Sequence, residues 1–390
     1  MRTHPPSPLE TVATTPTFGR YRVVRRVGEG AMGSVFEAEH LDLGRRVALK
    51  VLRPEHVVSE ESVRRFLREG RATSQLKHPN AVETYDVGFD NHSGWLVMEF
   101  LDGETLAQRL EREKRLDPTA AVDLLLPVIS AVGSAHALGI VHRDLKPSNV
   151  VLARGAFGEV TPKVVDFGIS KLLNEPTGAE NELTGNAAML GTPMYMPPEQ
   201  IRGARRVGPA SDQYALGVML YRLVTGAAPF EGRDMYEMLS TIMKGVHVRP
   251  RVHVPTLRPE LEAVIGRAMQ REAGDRFVSL KAFAEALLPF ASPAMRAAWG
   301  PRFEAMPAPH LTPALGVESL SDTPRLTLRP RAPARSSLHR EASSALTVAL
   351  AVIGVALIVL GALWWSRRPT LAARHSTQAR PAAETSVVTR

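Results

Sequence analysis

Residues 141–150 of this 390-residue chain read VHRDLKPSNV and place three cationic side chains, one carboxylate and one amide between apolar residues. The stretch leads directly into the apolar run NVVLA, which is typical of a buried strand. A solvated loop tolerates such a composition, and so does a site that binds phosphate, where cations and oxygen ligands lie together. The segments before and after this stretch decide between the two interpretations.

The patterning of the chain changes from strand-like to helical. From Tyr21 the segments YRVVRRVGEG, GSVFEAEH and RRVALKVL are strand-like runs bounded by glycine-containing turns, which predicts an antiparallel sheet. Residues 61–76 have apolar side chains near helical spacing, and residues 94–101 are typical of a buried strand. Further helices are predicted at 117–138, 211–226 and 260–290. This order predicts an α+β fold over residues 21–290, in which a small β-rich lobe precedes a larger helical lobe.

The net charge of +8 is not spread over this predicted folded region. Residues 291–390 hold 12 Lys and Arg against 5 Asp and Glu, so residues 1–290 are almost neutral. A basic face is therefore not predicted, and we expect no nucleic-acid partner. The absence of cysteine excludes disulfides and thiolate metal sites.

Both ends of the chain are predicted to lie outside the two lobes. Residues 1–20 begin with a Pro- and Thr-rich stretch without the apolar segment of a secretory signal, and they are predicted to form a disordered leader. Residues 291–344 carry Pro and Arg with little periodicity, which predicts a juxtamembrane linker.

Residues 345–365 (ALTVALAVIGVALIVLGALWW) contain no charged side chain. At a rise of about 1.5 Å per residue, a helix of this length spans roughly 31 Å, the thickness of the hydrocarbon core of a bilayer. Trp364 and Trp365 lie at one edge, with two arginines just beyond them, as interfacial anchors do. The alternative, a buried helix of a soluble domain, needs protein on every face. We predict one transmembrane helix in a lipid bilayer, followed by a short extracytoplasmic tail at 366–390.

Gly28, Gly30 and Gly33 have G-x-G-x-x-G spacing, which is also found in dinucleotide-binding folds. In those folds the glycines lead into a helix, whereas here they lead into the strand-like segment SVFEAEH. Lys50 follows in the next predicted strand, and this order is typical of a flap that closes over nucleotide phosphates. A buried lysine needs an acidic partner, and Glu69 on the first predicted helix is the best candidate.

Asp144, Asn149 and Asp166 supply the oxygen atoms that Mg²⁺ prefers, with one carboxylate remaining to orient a hydroxyl group. Each residue alone has an ordinary structural explanation, because an Asp after a turn usually acts as a cap. Their combination is more specific, since a glycine loop, V-A-x-K, H-R-D-L-K-P-x-N and D-F-G follow one another at compatible spacing. In these motifs the sequence resembles the protein kinase family over residues 21–290.

The resemblance continues beyond D-F-G. The segment GTPMYMPPEQ is similar to the substrate platform of the family, and SDQYALGV is similar to its buried helix, with Asp212 as the anchoring residue. Arg276 stands where the family pairs an arginine with the platform glutamate, which is Glu199 here. Pro197 departs from the family, which usually has Ala at this position, and this puts the geometry of the platform in question but not the chemistry.

The resemblance implies the two-lobed protein kinase fold, ATP and Mg²⁺ as cofactors, and a role for each matching residue. Asp144 would orient the substrate hydroxyl or accept its proton, and Lys146 would steady the transferring phosphate. Lys50, oriented by Glu69, would bind the α- and β-phosphates. The implied ligands of Mg²⁺ are Asn149 and Asp166. The residues implied at the nucleotide site are Val27, Gly28, Gly30, Gly33, Val35, Ala48, Lys50, Met98, Glu99, Leu101 and Val151. Adenine would lie between Val35 and Ala48 above and Val151 below, and its edge would hydrogen-bond to the backbone of Glu99 and Leu101.

Lys146 and the GTP triplet of the platform indicate serine and threonine acceptors in proteins. A kinase domain followed by one span resembles the bacterial, membrane-anchored, eukaryotic-like Ser/Thr kinases. This implies membrane-associated signalling, autophosphorylation within a homodimer, and a cytoplasmic kinase domain, because ATP is there and a long folded domain without a signal peptide is not expected to be translocated. Two alternatives are a pseudokinase scaffold and a Rossmann oxidoreductase. The retained motif lysine and aspartates disfavour the first, and the missing strand–glycine–helix order disfavours the second.

The segment between Asp166 and Glu199 has little apolar periodicity at its centre. A phosphate there would pair with Arg143 and order the segment around the substrate site. Thr184 is favoured over Thr177 as the acceptor, because Thr177 follows a proline and lies nearer the metal-binding end.

Overall fold

The strand-like runs from Tyr21 form the first lobe of this computed structural model, which describes residues 16–30, 33–54, 59–90, 93–167, 193–203 and 207–306. The strands of this lobe form one antiparallel sheet in the order β1-β2-β3-β4-β6-β5. They are β1 (Thr17–Phe18), β2 (Tyr21–Gly30), β3 (Gly33–His40), β4 (Arg46–Leu52), β5 (Thr84–Asp90) and β6 (Ser93–Glu99). The antiparallel sheet that the alternation predicts is confirmed.

Helix α1 (Glu60–Ser74) packs against this sheet. Ser59 caps the helix, because its hydroxyl oxygen accepts a hydrogen bond from a backbone N–H of the first turn. Gly70 lies so close to Val87 of β5 that an added Cβ would approach a Val87 methyl group to 2.6 Å. The helix predicted at 61–76 is therefore present, with ends shifted by one or two residues, and the close packing at Gly70 fixes its distance from the sheet.

The second lobe is built around two buried helices, α3 (Pro118–Ala137) and α5 (Pro209–Thr225). Both are apolar on nearly all faces, as expected for helices that are enclosed on every side. Helix α3 is long and apolar enough to cross a membrane, but 61% of its most apolar stretch is buried inside this lobe, so it is a core helix. The other helices of the lobe are α2 (Leu106–Glu113), α4 (Pro198–Ile201), α6 (Met235–Lys244), α7 (Pro250–His253), α8 (Pro259–Ala268), α9 (Leu280–Leu287) and α10 (Pro293–Glu304).

A three-stranded sheet begins the second lobe and consists of β7 (Gly103–Thr105), β8 (Val150–Arg154) and β9 (Val160–Val164). The hinge, residues 99–102, connects β6 to β7. Gly103 is required where the hinge meets β8, because an added Cβ would lie 2.1 Å from the carbonyl oxygen of Leu152. This close approach positions the hinge beside β8, which we call the floor strand of the cleft between the lobes.

Three boundaries differ from those predicted. Thr17–Phe18 pairs with the start of β2, so the leader predicted at 1–20 contains two residues of the sheet. The helical region predicted at 260–290 divides into α8 and α9. The linker predicted from residue 291 begins later, because α10 buries Trp299 and Phe303 in the second lobe. A glycine and a proline inside α10 conceal its helical pattern in the sequence.

Several predicted segments lie outside the described residues. They are most of the leader, the larger part of the linker predicted at 291–344, the transmembrane helix at 345–365 and the tail at 366–390. These assignments remain predictions from the sequence.

Candidate active site

The glycine loop joins β2 to β3, with Gly28 and Gly30 in one strand and Gly33 at the start of the other. Gly33 is required by packing, because an added Cβ would approach the carbonyl oxygen of Val51 to 2.1 Å. Gly28 and Gly30 are not required in this way, since the nearest atoms to an added Cβ are 4.0 Å away. Two glycines that packing does not demand leave room for phosphate oxygens to reach the backbone N–H groups, so the loop fits the phosphates of ATP.

The predicted adenine site has apolar side chains above and below the cleft. The pairing of β4 with β6 sets Ala48 opposite Met98, which is buried. Val35 on β3 is half-buried and Val27 on β2 is 41% exposed. Val151 on the floor strand is also half-buried. Partly exposed apolar faces on β2, β3 and β8 suit a flat, apolar ring such as adenine.

An ion pair between Glu99 and Lys163 of β9 joins the hinge to the second lobe. The two carboxylate oxygens of Glu99 accept hydrogen bonds from Lys163 Nζ at 3.0 and 2.8 Å. The backbone N–H of Glu99 also donates to the carbonyl oxygen of Glu83 at 2.9 Å. Glu99, whose backbone is predicted together with that of Leu101 to bind the adenine edge, is thus attached to both lobes. Lys163 was not predicted, because a single lysine in a strand belongs to no motif.

Asp212 of α5 fixes the backbone of the loop that carries Asp144. Its carboxylate oxygens accept hydrogen bonds from the backbone N–H groups of His142 and Arg143, both at 2.8 Å, and from His136 Nε2 at 2.7 Å. Arg143 has a φ of 66°, which few non-glycine residues adopt. Burial alone would raise the pKa of the Asp212 carboxyl, but the hydrogen bond and charge of His136, together with the backbone hydrogen bond from His142, outweigh it and hold this pKa below its usual value. Asp212 is therefore a buried, ionised anchor.

His142 is fully buried and joins this loop to the segment after β9. Its Nε2 lies 2.9 Å from the carbonyl oxygen of Val165, and its Nδ1 accepts a hydrogen bond from the backbone N–H of Asp144 at 3.3 Å. These contacts assign the proton to Nε2, and burial lowers the pKa of the imidazole, which stays neutral. The ring centroid of Phe167 lies 5.0 Å away. The imidazole of His142 thus positions both the loop that carries Asp144 and the segment that carries Asp166.

Asp144, Lys146 and Asn149 come together as the motif predicts. Lys146 Nζ lies 2.9 Å from Asp144 Oδ2. Asn149 Nδ2 donates to the carbonyl oxygen of Asp144 at 2.7 Å. This hydrogen bond uses the amide nitrogen and orients Oδ1 as the acceptor atom, which is the atom that a cation needs. Asp144 itself is 31% exposed and accessible to a substrate hydroxyl.

Lys50 pairs with Asp166 in the structure, and its predicted pairing with Glu69 stays a prediction. Lys50 Nζ lies 2.8 Å from Asp166 Oδ1, and the lysine side chain is 13% exposed. Asp166 has a φ of 61°. Glu69 lies on α1, where its carbonyl oxygen accepts a hydrogen bond from Thr73 Oγ1. The sequence pointed to Glu69, and the contact with Asp166 was not predicted, because which acid reaches the ammonium group depends on backbone geometry that no motif specifies.

The donor set fits Mg²⁺. Within the described ranges, no group of three or more His, Asp and Glu side chains is arranged to hold a metal ion. Mg²⁺ does not need such a cage, because it commonly binds through one or two protein oxygens together with substrate phosphates and water. Asn149 Oδ1 and the Asp166 carboxylate are such a pair, and Lys50 adds a positive charge for the phosphates.

Glu199 and Arg276 form the predicted pair at the platform segment. Arg276 Nη1 and Nη2 donate to the two carboxylate oxygens at 2.8 and 2.9 Å, which is a bidentate arrangement. Arg276 also donates to the carbonyl oxygens of Gln270 and Ala210, and Ser211 Oγ donates to Glu199, each at 2.8 Å. Burial alone would raise the pKa of Glu199, but Arg276 outweighs it and holds this pKa below its usual value. The pair is a buried, fully hydrogen-bonded anchor for the platform.

Most of the segment after D-F-G, including Thr177 and Thr184, lies outside the described residues. Its described end begins at Pro193. Pro197 caps α4 with φ −73° and ψ 155°, a conformation that proline readily adopts. This departure from the family pattern is therefore accommodated without backbone strain.

The region that holds both lobes and this site is similar to known proteins. The sequence profile of the protein kinase domain matches residues 21–288. The chain is 40% identical to the serine/threonine-protein kinase Pkn1 of Myxococcus xanthus over 269 residues, which cover 69% of this chain and 38% of that protein. It is 34% identical to the serine/threonine-protein kinase PrkC of Bacillus subtilis over 259 residues, with coverages of 66% and 38%. The chain thus spans about two fifths of the length of these curated relatives.

Among solved structures, the kinase domain of PknI from Mycobacterium tuberculosis is similar to this chain. The two are 29% identical with a TM-score of 0.56, and the match covers 72% of this chain and all of that one. A crystal structure of a point mutant of the same domain matches with 30% identity and the same TM-score.

Proposed function

The chain belongs to the protein kinase family, and from this we propose that it transfers the γ-phosphate of ATP to serine and threonine hydroxyls of proteins. The observation that carries the proposal is that Lys50 pairs with Asp166, that Lys146 and Asn149 contact Asp144, and that the backbone N–H of Val165, next to Asp166, joins the two groups by donating to the Asn149 carbonyl oxygen at 2.9 Å. Relatives that are named serine/threonine-protein kinases, at 34 and 40% identity, support serine and threonine as acceptors.

Each of these residues has one task in the proposed reaction. Asp144 orients the substrate hydroxyl and takes its proton while the hydroxyl oxygen bonds to the γ-phosphorus and the bond to the β-phosphate oxygen breaks. Lys146, beside Asp144, stabilises the charge of the transferring group. Lys50 holds the α- and β-phosphates. Asn149 and Asp166 would hold Mg²⁺, which supplies charge neutralisation at the β- and γ-phosphates. Catalysis of this kind depends on positioning and electrostatics.

Full-length protein in detergent, incubated with Mg²⁺, radiolabelled ATP and casein, tests the activity. We expect label in phosphoserine and phosphothreonine after hydrolysis of the substrate, and we expect Asp144→Asn to abolish it. Label in phosphotyrosine alone would contradict the acceptor class. Binding of ATP without any transfer to protein would indicate a pseudokinase scaffold in place of an enzyme.

We also propose that residues 345–365 anchor the kinase in the cell membrane with its two lobes in the cytoplasm. The uncharged stretch and its flanking tryptophans and arginines support the span. The arginines around it do not decide the orientation, since residues 331–344 hold three and residues 366–380 hold four. The cytoplasmic placement rests instead on the need of the lobes for ATP. Protease added to intact cells should then spare the lobes and remove an epitope placed after residue 390. Digestion of the lobes from outside would reverse the topology.

Membrane-associated signalling would begin with autophosphorylation inside a homodimer, and we propose Thr184 as the acceptor. Phosphothreonine carries about −1.5 to −2 charges and would pair with Arg143 next to Asp144. Mass spectrometry of the active protein should find phosphate on Thr184 that is absent from Asp144→Asn. Co-expression with a tagged wild-type copy should restore phosphate to the Asp144→Asn chain if the reaction occurs between two copies. Unmodified Thr184 in fully active protein would contradict this assignment.

A further inference from the structure

Arg46, the first residue of β4, contacts two parts of the fold through one guanidinium group. Its Nε donates to Glu37 Oε1 on β3 at 2.6 Å, and its Nη1 donates to Asp102 Oδ2 in the hinge at 2.9 Å. Its Cζ atom lies 3.7 Å from the centroid of the Phe100 ring, which also belongs to the hinge. The contact with Phe100 has the geometry of a cation–π interaction. Arg46 therefore links β3 and β4, which we call the roof strands of the cleft, to the hinge.

Both ends of this link are attached to the nucleotide site. Glu37 lies two residues after Val35, and Arg46 lies two residues before Ala48, and these apolar residues are the predicted cover over adenine. At the other end, the carbonyl oxygen of Asp102 accepts a hydrogen bond at 2.7 Å from the backbone N–H that ends the floor strand. A continuous path of hydrogen bonds thus runs from the roof strands through Arg46 and the hinge to the floor strand.

The charges around Glu37 make this link a network and not a single pair. Arg25 Nη2 lies 2.6 Å from the second carboxylate oxygen of Glu37. The hydrogen bond from Arg46 lowers the pKa of the Glu37 carboxyl, which stays ionised at neutral pH. Isolated surface pairs contribute little, whereas networks contribute more. Arg22 and Glu39 form a comparable pair at 2.6 Å on the same sheet, and they join β2 to β3.

We propose that Arg46 is a positioning residue that sets the affinity for ATP by holding the roof strands at a fixed distance from the hinge. The inference rests on the proposed kinase function and deepens it. ATP must contact the roof, the hinge and the floor together, so it binds only the arrangement in which all three are in place. When that arrangement is populated only in part, the apparent Kd rises by the inverse of the populated fraction. Arg46 raises this fraction through Glu37, Phe100 and Asp102.

Substitutions at Arg46 separate its charge from its shape. Arg46→Met removes the hydrogen bonds and keeps an apolar stem over Phe100, whereas Arg46→Lys keeps the charge without the fork that reaches two carboxylates. In the full-length protein, we expect Arg46→Met to raise both the Kd and the KM for Mg–ATP about three- to tenfold, with kcat changed by less than about twofold. Arg46→Lys should give a smaller rise. Arg22→Met, the matched control on the same sheet, should retain the wild-type values.

Asp102→Asn tests the other end of the link. It should raise the Kd on its own and add little to Arg46→Met, because both substitutions interrupt the same path. If circular dichroism shows that Arg46→Met does not fold, the Kd of Asp102→Asn for Mg–ATP tests the inference by itself. An unchanged Kd for Mg–ATP in the folded variants, or an equal rise in Arg22→Met, would overturn the inference. Phosphate transfer by the wild-type protein would still support the proposed function in that case. Wild-type protein that bound no ATP would overturn both.

Discussion

His136 Nε2 and Asp212 Oδ2 lie 2.7 Å apart, and this contact joins the end of α3 to the start of α5 beneath the loop of the site. The same carboxylate accepts hydrogen bonds from the backbone N–H groups of His142 and Arg143. One buried negative charge therefore fixes the main chain immediately before Asp144. The position of the proposed catalytic carboxylate depends on a residue that cannot itself reach the substrate.

Asp212→Asn is expected to lower kcat by about tenfold or more and to lower the free energy of unfolding by about 1–3 kcal/mol. The amide has one acceptor oxygen in place of two, so a buried backbone N–H of the loop loses its partner. Steady-state kinetics and urea unfolding measure the two effects. Asp117→Asn is the matched control, because Asp117 only caps α3 and Asn caps equally well. Equal losses in the two variants would contradict the anchoring role.

The glycine loop offers a pair of substitutions that separate folding from nucleotide binding. Gly33→Ala should destabilise the first lobe, because its Cβ would meet the carbonyl oxygen of Val51 at 2.1 Å. Gly30→Ala should leave the melting temperature nearly unchanged, since the nearest atom to its added Cβ is 4.0 Å away, and should raise the KM for ATP about tenfold. Thermal unfolding and ATP titration of both variants measure this difference. A wild-type KM in folded Gly30→Ala would contradict the phosphate-binding role.

The parts of the site that lie close together in the sequence could be predicted from it. Asp144, Lys146 and Asn149 occupy one loop and one turn, so their mutual geometry is local, and the structure brings them together as expected. The alternation from Tyr21 and the spacing at 61–76 likewise predicted the first sheet and its helix. Local propensity and periodicity are sufficient where one short segment contains all the contacts that matter.

Contacts between distant segments could not be predicted in the same way. His136 meets Asp212, and Lys163 meets Glu99, only because helices and strands that are far apart in sequence pack against each other. The pairing of Lys50 with Asp166 was not predicted for the same reason. A weak pattern also hid α10, where the burial of an aromatic pair outweighs an internal glycine and proline.

Glu199→Gln is expected to lower the free energy of unfolding by about 3 kcal/mol. The substitution leaves the guanidinium of Arg276, which is almost completely buried, without its compensating charge, and unpaired buried charges are strongly destabilising. Guanidinium chloride unfolding measures the loss. Glu272→Gln is the matched control, because Glu272 pairs with two arginines at the surface, and we expect a loss of less than about 1 kcal/mol there. A loss in the control as large as that at Glu199 would contradict the importance of burial.

Asp166→Asn is expected to lower kcat by about a hundredfold or more without unfolding the protein. The substitution is isosteric, but it removes the charge that faces Lys50 and would bind Mg²⁺. Glu69→Gln should lower kcat less, because the ion pair of Lys50 in the structure is with Asp166. Phosphate-transfer assays at saturating ATP compare these variants with Asp86→Asn, a carboxylate of β5 outside the site. Near wild-type transfer by Asp166→Asn would show that the metal-binding assignment is wrong.

His78, in the turn after α1, is held as a neutral imidazole. Its Nδ1 accepts a hydrogen bond from the backbone N–H of Asn80 at 3.1 Å, and its Nε2 lies 3.0 Å from Ser130 Oγ on α3. Burial, followed by the positive charges of Arg302 and Lys163, lowers the pKa of His78 to about 4. Because an exposed histidine in the unfolded chain titrates near about pH 6.5, the two states bind different numbers of protons between these values.

Between about pH 6.5 and 4, the unfolded chain takes up a proton at His78 that the folded chain does not, so the free energy of unfolding falls as the pH is lowered. One such group contributes at most about 1.4 kcal/mol per pH unit. His78→Gln should therefore reduce the pH dependence of stability, measured by urea unfolding at about pH 7, 6 and 5. Ser130→Ala removes a hydrogen-bond partner but keeps the titrating ring, so it should retain most of that dependence. An unchanged slope in His78→Gln would assign the acid sensitivity to other buried groups.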